Sequence, residues 1–244
     1  MFKRSPSLVQ QVKTHLKQRI IKVEFHDGRI PPEAELAAEL GVSRNTIRDA
    51  LSQLETEGVI YRRQGAGTFV NQAGLLVKTR LDEIIPYETM IREHGFEPTV
   101  RLISVDNVEA EPELAAILNV PPQTSLILVQ KQFLADEKPV IFSRTYLPAD
   151  LIKQPYQPED LRPPVAHFLL QFCQQEFGYY ISEIVPVLTS EWLVERLALP
   201  PQKRVLISFE ELGYNQGGEP VVLAYSYFRD DLIRLRLIRR QQVQ

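Results

Sequence analysis

One stretch, residues 30–70, constrains the fold of this chain more than any other. Pro31 and Pro32 suit the start of a helix, where a backbone N–H needs no partner, and apolar residues follow at helical spacing as far as a Gly-Val turn. Ser43 then provides the side-chain oxygen typical of a helix N-cap. A second helix over 43–57 is predicted by an apolar stripe formed by Ile47, Ala50, Leu51 and Leu54.

A β-hairpin is predicted directly after this second helix. Gly58 ends the helix, and two short strands, 59–63 and 68–70, flank a glycine-containing turn at Gln64–Gly67. Two helices joined by a tight turn and followed by a hairpin form a winged helix-turn-helix. In such a domain the second helix enters the DNA major groove and the hairpin, the wing, approaches the neighbouring backbone.

The residues predicted to contact DNA lie at the start of the second helix and on the wing. They are Ser43, Arg44, Asn45, Thr46, Arg48, Arg62, Gln64 and Gly65. Arginine is a long donor suited to phosphate or guanine, and glycine lets the backbone come close to a second groove. For an isolated pair such as Arg44 and Arg48, a solvated helix face is the simpler interpretation, but the complete arrangement favours DNA.

The run EAELAAELGVSRNTIRDALSQLETEGVIYRRQGAGTFV resembles the signature of the GntR family of bacterial transcription regulators. The resemblance implies binding to double-stranded operator DNA. Two positions depart from the family pattern. Ala34 stands where the family usually has an arginine that often contacts DNA, and Pro32 stands where many members have serine.

Length and charge favour two domains in this chain of 244 residues. Residues 1–70 contain 11 Lys and Arg against 8 Asp and Glu, whereas residues 71–244 contain 17 against 23. The basic part can therefore face DNA while the acidic part avoids it. The single cysteine, Cys173, and the lack of a long apolar run or signal-peptide core lead us to expect a cytoplasmic protein with no membrane partner.

The later part of the chain repeats itself. The segment LNVPPQ that begins at Leu118 has a counterpart, LALPPQ, that begins at Leu197, 79 residues further on. Each follows a short apolar helix and leads into two apolar strands joined by a turn. Two copies of helix–strand–turn–strand predict a pseudo-symmetric α+β domain with an antiparallel sheet. Between the copies we expect a helix over 166–177, ended by Gly178.

The segments HGFEPTV, ILNVPP, KPVIFSRTYLP, LALPP and EPVVLAYSYFRDD resemble the UTRA effector-binding domain of the HutC-type branch of the GntR family. The resemblance implies a chorismate-lyase-like antiparallel sheet, a pocket for a small-molecule effector between the pseudo-repeats, and homodimers formed through this domain. The predicted divisions are a winged-helix DNA-binding domain over 1–70, a linker over 71–80 and an effector-binding and dimerisation domain over 81–244.

Comparison with phosphosugar-binding members of the family places the predicted effector site at Lys131, Phe133, Ser143, Tyr146, Val222 and Phe228. Lys131 and Phe133 occupy the positions of an Arg-x-Arg pair, so one cation remains. Several polar positions of the family are apolar here. We expect a ligand with one anionic group near Lys131 and an apolar or aromatic body; a solvent-facing lysine on a strand is the alternative.

Neither catalytic residues nor a cofactor or metal site is predicted. The chain lacks a Walker loop, a dinucleotide-binding glycine fingerprint and a G-x-S-x-G motif, and its four histidines have no metal-ligand spacing. The sequence therefore favours a ligand-responsive DNA-binding regulator, which we expect to act as a repressor. Two alternatives stay open: a lyase-like enzyme domain fused to a DNA-binding head, and a constitutive DNA-binding protein with a structural dimer module.

Overall fold

The computed structural model describes residues 7–77, 81, 83–202 and 205–236. The chain divides into two compact units, and residues 81–235 form the second of them. Part of the predicted linker, residues 78–80, lies outside the described residues.

The described residues of the first unit form three α-helices and a small antiparallel sheet. Its elements are α1 (Leu8–Ile21), β1 (Arg29–Ile30), α2 (Glu33–Leu40), α3 (Arg44–Thr56), β2 (Ile60–Arg63) and β3 (Gly67–Val70). The strand order is β1-β3-β2. The helices pack because each presents an apolar stripe to one core, which includes Leu16, Leu36, Ile47, Leu51, Leu54 and Ile60. This arrangement confirms the predicted winged helix-turn-helix.

Residues 71–77, which the sequence suggested were linker, pack against the winged helix. The Asn71 backbone N–H donates to the Val59 carbonyl over 2.8 Å, and the Asn71 side-chain amide donates to the Gly58 carbonyl over 2.9 Å. Leu75 adds a partly buried side chain to the core of the first unit. These contacts extend the first unit beyond the hairpin.

In the second unit, the described residues form one six-stranded antiparallel sheet and four α-helices. The elements are α4 (Tyr87–Glu93), β4 (Pro98–Glu109), α5 (Pro112–Leu118), β5 (Ser125–Ala135), β6 (Lys138–Pro148), α6 (Val165–Phe172), β7 (Phe177–Leu188), α7 (Glu191–Leu197), β8 (Val205–Asn215) and β9 (Pro220–Phe228). The strand order is β4-β5-β6-β9-β8-β7. The predicted α+β class with an antiparallel sheet is confirmed.

The order of elements makes the internal repeat longer than the sequence suggested. Each copy is strand–helix–strand–strand, β4-α5-β5-β6 and β7-α7-β8-β9, so a leading strand joins each copy. The copies meet where β6 pairs with β9, and Arg144 lies opposite Tyr225 at the centre of that pairing. The pseudo-two-fold axis therefore passes through the middle of the sheet.

The helix expected over 166–177 is wrong at its C-terminal end. Helix α6 ends at Phe172, and Phe177 already begins strand β7. Gly178 is a strand residue instead of a helix cap, and a Cβ there would lie 2.9 Å from the carbonyl oxygen of Asn215. The glycine is needed for close approach of two backbones, which local sequence does not reveal.

Two helices cover each face of the large sheet. Residues paired across neighbouring strands share a face, so the strand register assigns every side chain to one side or the other. Helices α4 and α6 pack on one face, called here the α4/α6 face, and helices α5 and α7 pack on the opposite α5/α7 face.

The C-terminal ends of α5 and α7 provide a test of local backbone strain. Asn119 and Ala198 both adopt the left-handed conformation at equivalent positions, with φ of 53° and 46°. Asparagine adopts this region at a lower cost in free energy than alanine does. We expect Ala198→Asn to stabilise the second unit by about 0.5–1 kcal/mol. The measurement is denaturant unfolding, with Trp192 fluorescence emission as the signal. Asn119→Ala should have the opposite effect, and an unchanged midpoint in both variants would contradict the explanation.

Candidate DNA-binding surface and effector site

The first turn of α3 is fixed by its own N-cap. The Ser43 hydroxyl accepts a hydrogen bond from the Thr46 backbone N–H over 3.1 Å, and the two hydroxyls share another of 2.8 Å. Ser43, Arg44 and Asn45 are exposed, while Ile47 is fully buried against the core. The helix therefore presents its first turn to solvent on a rigid support, as a helix that enters the major groove requires.

Two of the predicted DNA-contacting arginines are held by carboxylates. Arg48 donates to the Glu33 carboxylate over 3.2 Å and 3.0 Å, and Arg62 lies 4.0 Å from that same carboxylate. Arg62 also pairs with Glu55 at 3.3 Å. Glu33 thus connects α2 to α3 and to the first strand of the wing. These ion pairs partly neutralise Arg48 and Arg62 before any DNA arrives.

Arg44 differs from the other two arginines. It is exposed at the first position of α3, and within the described part of the chain it has no carboxylate partner. An exposed guanidinium without an ion pair is available to phosphate or to guanine. We therefore expect Arg44 to contribute more to DNA affinity than Arg48.

The wing places Gln64 and Gly65 at its exposed tip. Gly65 has φ of +75°, and no heavy atom lies within 4 Å of the position a Cβ would take. The sequence analysis did not single out Arg29 or Arg63. Arg29 lies on β1 with its guanidinium close to Gly67, and the Arg63 guanidinium lies 5.9 Å from the Tyr61 ring centre. Pairing of β1 with β3 brings Arg29 to the wing, and no local pattern indicated that pairing.

Five of the six predicted effector residues share the α4/α6 face of the large sheet. These five are Lys131, Phe133, Ser143, Val222 and Phe228. Tyr146 lies on the α5/α7 face, buried in the cluster under α5. The structure therefore does not bring all six side chains together. Val222 is fully buried in the cluster under α6 and supplies only an apolar surface.

Lys131 is buried beneath the start of α6 and is not solvent-facing. Lys131 is only 7% exposed. Its Nζ donates hydrogen bonds to the carbonyl oxygens of Arg162 at 3.1 Å and Pro163 at 2.7 Å. Burial lowers the pKa of Lys131 to about 8, and the Glu88 carboxylate opposes that shift. The site therefore contains a desolvated amine whose hydrogen-bond partners are neutral carbonyl groups.

Tyr87, on α4, lies between two of the predicted effector residues. Its ring packs edge-on against Phe133 at 5.1 Å and Phe228 at 5.4 Å between centroids. The Tyr87 hydroxyl donates to Glu211 over 3.3 Å, and the Ser182 hydroxyl donates to the same carboxylate over 2.8 Å. Burial raises the pKa of Tyr87 well above its usual value and also raises the pKa of Glu211.

Tyr87 and Glu211 were missed by the sequence analysis. They come from segments of the chain 124 positions apart, and only the folded sheet joins them. Lys131, Ser143 and Glu211 are on three different strands of the α4/α6 face, and Tyr87 packs on that face from α4, among apolar side chains. This arrangement has the composition of a small-molecule site, with apolar walls and a few polar groups that fix orientation.

Other kinds of site are not evident among the described residues. They contain no group of three or more His, Cys, Asp or Glu side chains placed to hold a metal ion. None of the helices in the described part of the chain has the length and hydropathy needed to cross a membrane. The fold and the two surfaces define a class of protein: a winged-helix DNA-binding unit joined to an antiparallel-sheet unit of the effector-binding type.

Comparison with known families identifies both units. Residues 8–70 match the family described as bacterial regulatory proteins, gntR family, and residues 93–234, more than half of the chain, match the UTRA domain. The chain therefore belongs to the gntR family of bacterial regulatory proteins, in the group that carries a UTRA domain.

Several curated proteins resemble this chain. The HTH-type transcriptional repressor NagR of Bacillus subtilis is 31% identical over 144 residues, which cover 59% of this chain and 57% of NagR. The alignment thus spans less than two thirds of that relative. The mannosyl-D-glycerate transport/metabolism system repressor MngR of Escherichia coli is 22% identical over 96% of this chain and 97% of its own length. These names describe transcription regulators and not enzymes.

Solved structures share the fold across nearly the whole chain. The possible transcriptional regulator YydK of Bacillus subtilis has a TM-score of 0.73 at 19% identity, covering 96% of this chain and 100% of that one. PhnF of Mycobacterium smegmatis has a TM-score of 0.59 at 20% identity, covering 95% and 100%. At these identities the likeness concerns the architecture alone.

Proposed function

We propose that this protein is a transcription regulator, acting as a repressor, that binds an inverted-repeat operator as a homodimer. A small metabolite bound by the second unit changes its affinity for DNA. The observation that carries the proposal is the exposed, N-capped first turn of α3, with Arg44 free of any carboxylate partner in the described chain. Coupling of two binding sites requires that effector and operator alter each other's affinity reciprocally.

An edge of the large sheet supports self-association as part of this proposal. The two outer strands, β4 and β7, are equivalent in the internal repeat, yet only β7 carries large exposed apolar side chains. They are Tyr179, Ile181, Ile184 and Leu188, the last 77% exposed. A long apolar edge strand left open is a template for pairing with another chain. A second copy of this protein, paired along β7, would cover it and supply the two-fold symmetry that an inverted repeat requires.

The test of operator binding begins with selection of duplexes from a random library by the full-length protein. The selected sites should contain an inverted repeat with half-site centres about 10 base pairs, or a small multiple, apart. Arg44→Ala should then weaken binding by about 1–3 kcal/mol and relax discrimination at one base pair. Arg48→Ala should cost less, because Glu33 already binds that guanidinium.

Affinities for the selected duplex are measured by fluorescence anisotropy at one fixed salt concentration, since each lost phosphate contact changes the salt dependence. Arg101→Ala is the matched control: it removes the same charge from an exposed position on β4. If both Arg44→Ala and Arg48→Ala bound the selected duplex with wild-type affinity, the assignment of α3 as the recognition helix would be wrong.

The effector proposed for the α4/α6 face has one anionic group near Lys131 and an apolar or aromatic body. The side chains of Phe133, Val222 and Phe228 provide apolar surface. Each Å² of apolar surface that binding removes from water contributes about 25 cal/mol to affinity. Sugar hydroxyls buried against such walls would each cost about 1–3 kcal/mol. The residues that support this proposal are Lys131, whose charge is desolvated, and Phe133 and Phe228, whose rings enclose Tyr87.

Calorimetry with two compounds that carry the same anion tests the effector class. Phenyl phosphate should bind more tightly than glucosamine 6-phosphate, by about tenfold or more, because the difference lies in the body of the ligand. Lys131→Met should weaken both. Micromolar binding of the hexose phosphate that persists in Phe133→Ala but is lost in Lys131→Met would instead show that the anion dominates and that the apolar walls do not select.

A further inference from the structure

A row of polar residues crosses the middle of the α5/α7 face. Gln130, Arg144, Tyr225 and Glu210 are paired in turn across β5, β6, β9 and β8, with Arg144 and Tyr225 at the pseudo-two-fold axis. All four residues are only half-buried. We call them the axial row. They lie on the face opposite Lys131, and neither the DNA-binding surface nor the proposed effector site uses them.

The two helices on this face leave the axial row between them. The next row on one side includes Leu128 and Tyr146, which belong to the cluster under α5. The next row on the other side includes Phe142 and Tyr227, which belong to the cluster under α7. Packed aromatic side chains therefore flank the axial row on both sides. The side chains of the row itself are partly exposed to solvent.

Arg144 has the surroundings of an anion-binding group. Its guanidinium carbon lies 5.5 Å from the ring centre of Tyr146 and 5.9 Å from that of Trp192. No carboxylate of the described residues forms an ion pair with it. Arg144 also forms a side-chain hydrogen bond with Tyr146. A guanidinium has five N–H donors, so others stay available for a carboxylate, which arginine can bind through two parallel hydrogen bonds.

The other end of the axial row has the opposite charge. Glu210 lies two strands from Arg144, roughly 10 Å away between backbones at the usual strand spacing, and Tyr225 lies between them. Burial, with the Glu210 carboxylate nearby, raises the pKa of Tyr225 to about 12, so its hydroxyl stays neutral at physiological pH. The row thus presents a cation, an aromatic ring and an anion in a line.

We propose that the axial row binds a flat aromatic molecule that carries a carboxylate at one end and a hydrogen-bond donor, such as an amine, at the other. Arg144 receives the carboxylate, Glu210 accepts from the donor, and the ligand's ring packs against Tyr225 and Trp192, which is 39% exposed. A simple dianion is disfavoured because Glu210 repels its second charge. This site is additional to the effector site proposed near Lys131.

Trp192 gives the experiment a local signal, because it is the single tryptophan of the chain. Full-length protein labelled with 5-fluorotryptophan should show one fluorine resonance, observed during titration with 4-aminobenzoate, benzoate and aniline. We expect a saturable shift with 4-aminobenzoate. Benzoate retains the Arg144 contact and loses the Glu210 contact, so it should bind several-fold more weakly, and aniline should bind more weakly still.

Variants assign the two ends of the ligand. Arg144→Gln should weaken 4-aminobenzoate about tenfold or more, and Arg101→Gln, which removes an exposed guanidinium from the edge of the same sheet, should leave affinity within about twofold. Glu210→Gln should weaken 4-aminobenzoate without weakening benzoate. Glu210 packs in neither cluster, so this variant also tests the site if Arg144→Gln does not fold, as checked by circular dichroism.

Three results would overturn the proposal. The first is no saturable shift of the Trp192 resonance up to about 10 mM 4-aminobenzoate, a concentration at which an interaction worth more than about 3 kcal/mol would be visible. The second is unchanged affinity in folded Arg144→Gln and in Glu210→Gln. The third is loss of binding in Lys131→Met with retention in Arg144→Gln, which would place the ligand on the α4/α6 face.

Discussion

Replacing Gly74 with alanine should destabilise the first unit by about 3 kcal/mol or more. A Cβ on Gly74 would overlap the carbonyl oxygen of Gly58 and lie 2.9 Å from the side-chain nitrogen of Asn71. That carbonyl belongs to the turn between α3 and β2 and already accepts a hydrogen bond from Asn71. The clash is with backbone, so it cannot be relieved by rotating a side chain, and relief requires moving the turn itself.

Hydrogen exchange of the α1, α2 and α3 amides in the full-length protein measures this effect locally. Trp192 emission during denaturant unfolding reports on the second unit and should not change. Gly65→Ala is the matched control: it also replaces a glycine of the first unit, but with open space around the new Cβ. The control should cost only about 1 kcal/mol, for its positive φ. If the α1, α2 and α3 amides were equally protected from hydrogen exchange in Gly74→Ala and Gly65→Ala, the role assigned to Gly74 would be wrong.

The winged helix could be predicted closely because its determinants are local. Ser43 caps α3 as expected, and the stripe from Ile47 to Leu54 is buried as expected. Gly74 illustrates what local patterns miss. In sequence it stands in a stretch without periodicity, next to a predicted strand, and looks like a linker glycine. Its constraint comes from a carbonyl 16 positions earlier, which only tertiary packing brings close.

In the second unit the sequence repeat predicted the sheet but not the composition of the site. Alternation along a strand places Ser143 and Tyr146 on opposite faces, since they are three positions apart, yet which face holds a site depends on the helices that cover it. Tyr87 approaches from α4, before the first repeat, and Glu211 from β8, in the second. Their meeting depends on strand order, which no single segment encodes.

The pH dependence of stability should reveal the buried charge of Lys131. Burial lowers the pKa of this side chain from 10.5 to about 8. Below pH 8 the amine is protonated in both the folded and the unfolded chain, so the folded protein bears the full cost of burying the charge. Between pH 8 and 10.5 the folded state releases its proton first. The unfolded state then binds more protons, and the free energy of unfolding rises with pH.

Comparison with Lys131→Met isolates this contribution. From pH 7 to pH 10 the wild-type protein should gain about 2–3 kcal/mol of stability relative to Lys131→Met, measured by denaturant unfolding with Trp192 emission as the signal. Lys138→Met removes an exposed lysine from the first position of β6 and reports the general effect of losing one cation. If the wild-type protein and Lys131→Met have parallel stability profiles over this range, the Lys131 amine is not desolvated.

The same measurement connects the buried lysine to ligand binding. At pH 7 the folded protein holds a protonated amine whose partners, the carbonyls of Arg162 and Pro163, carry no net charge. An anion bound beside Nζ would favour the protonated form and raise the pKa of Lys131. With saturating phenyl phosphate, the gain in stability between pH 7 and pH 10 should therefore shrink or reverse. A pH dependence that the ligand leaves unchanged would place the anion elsewhere on the molecule.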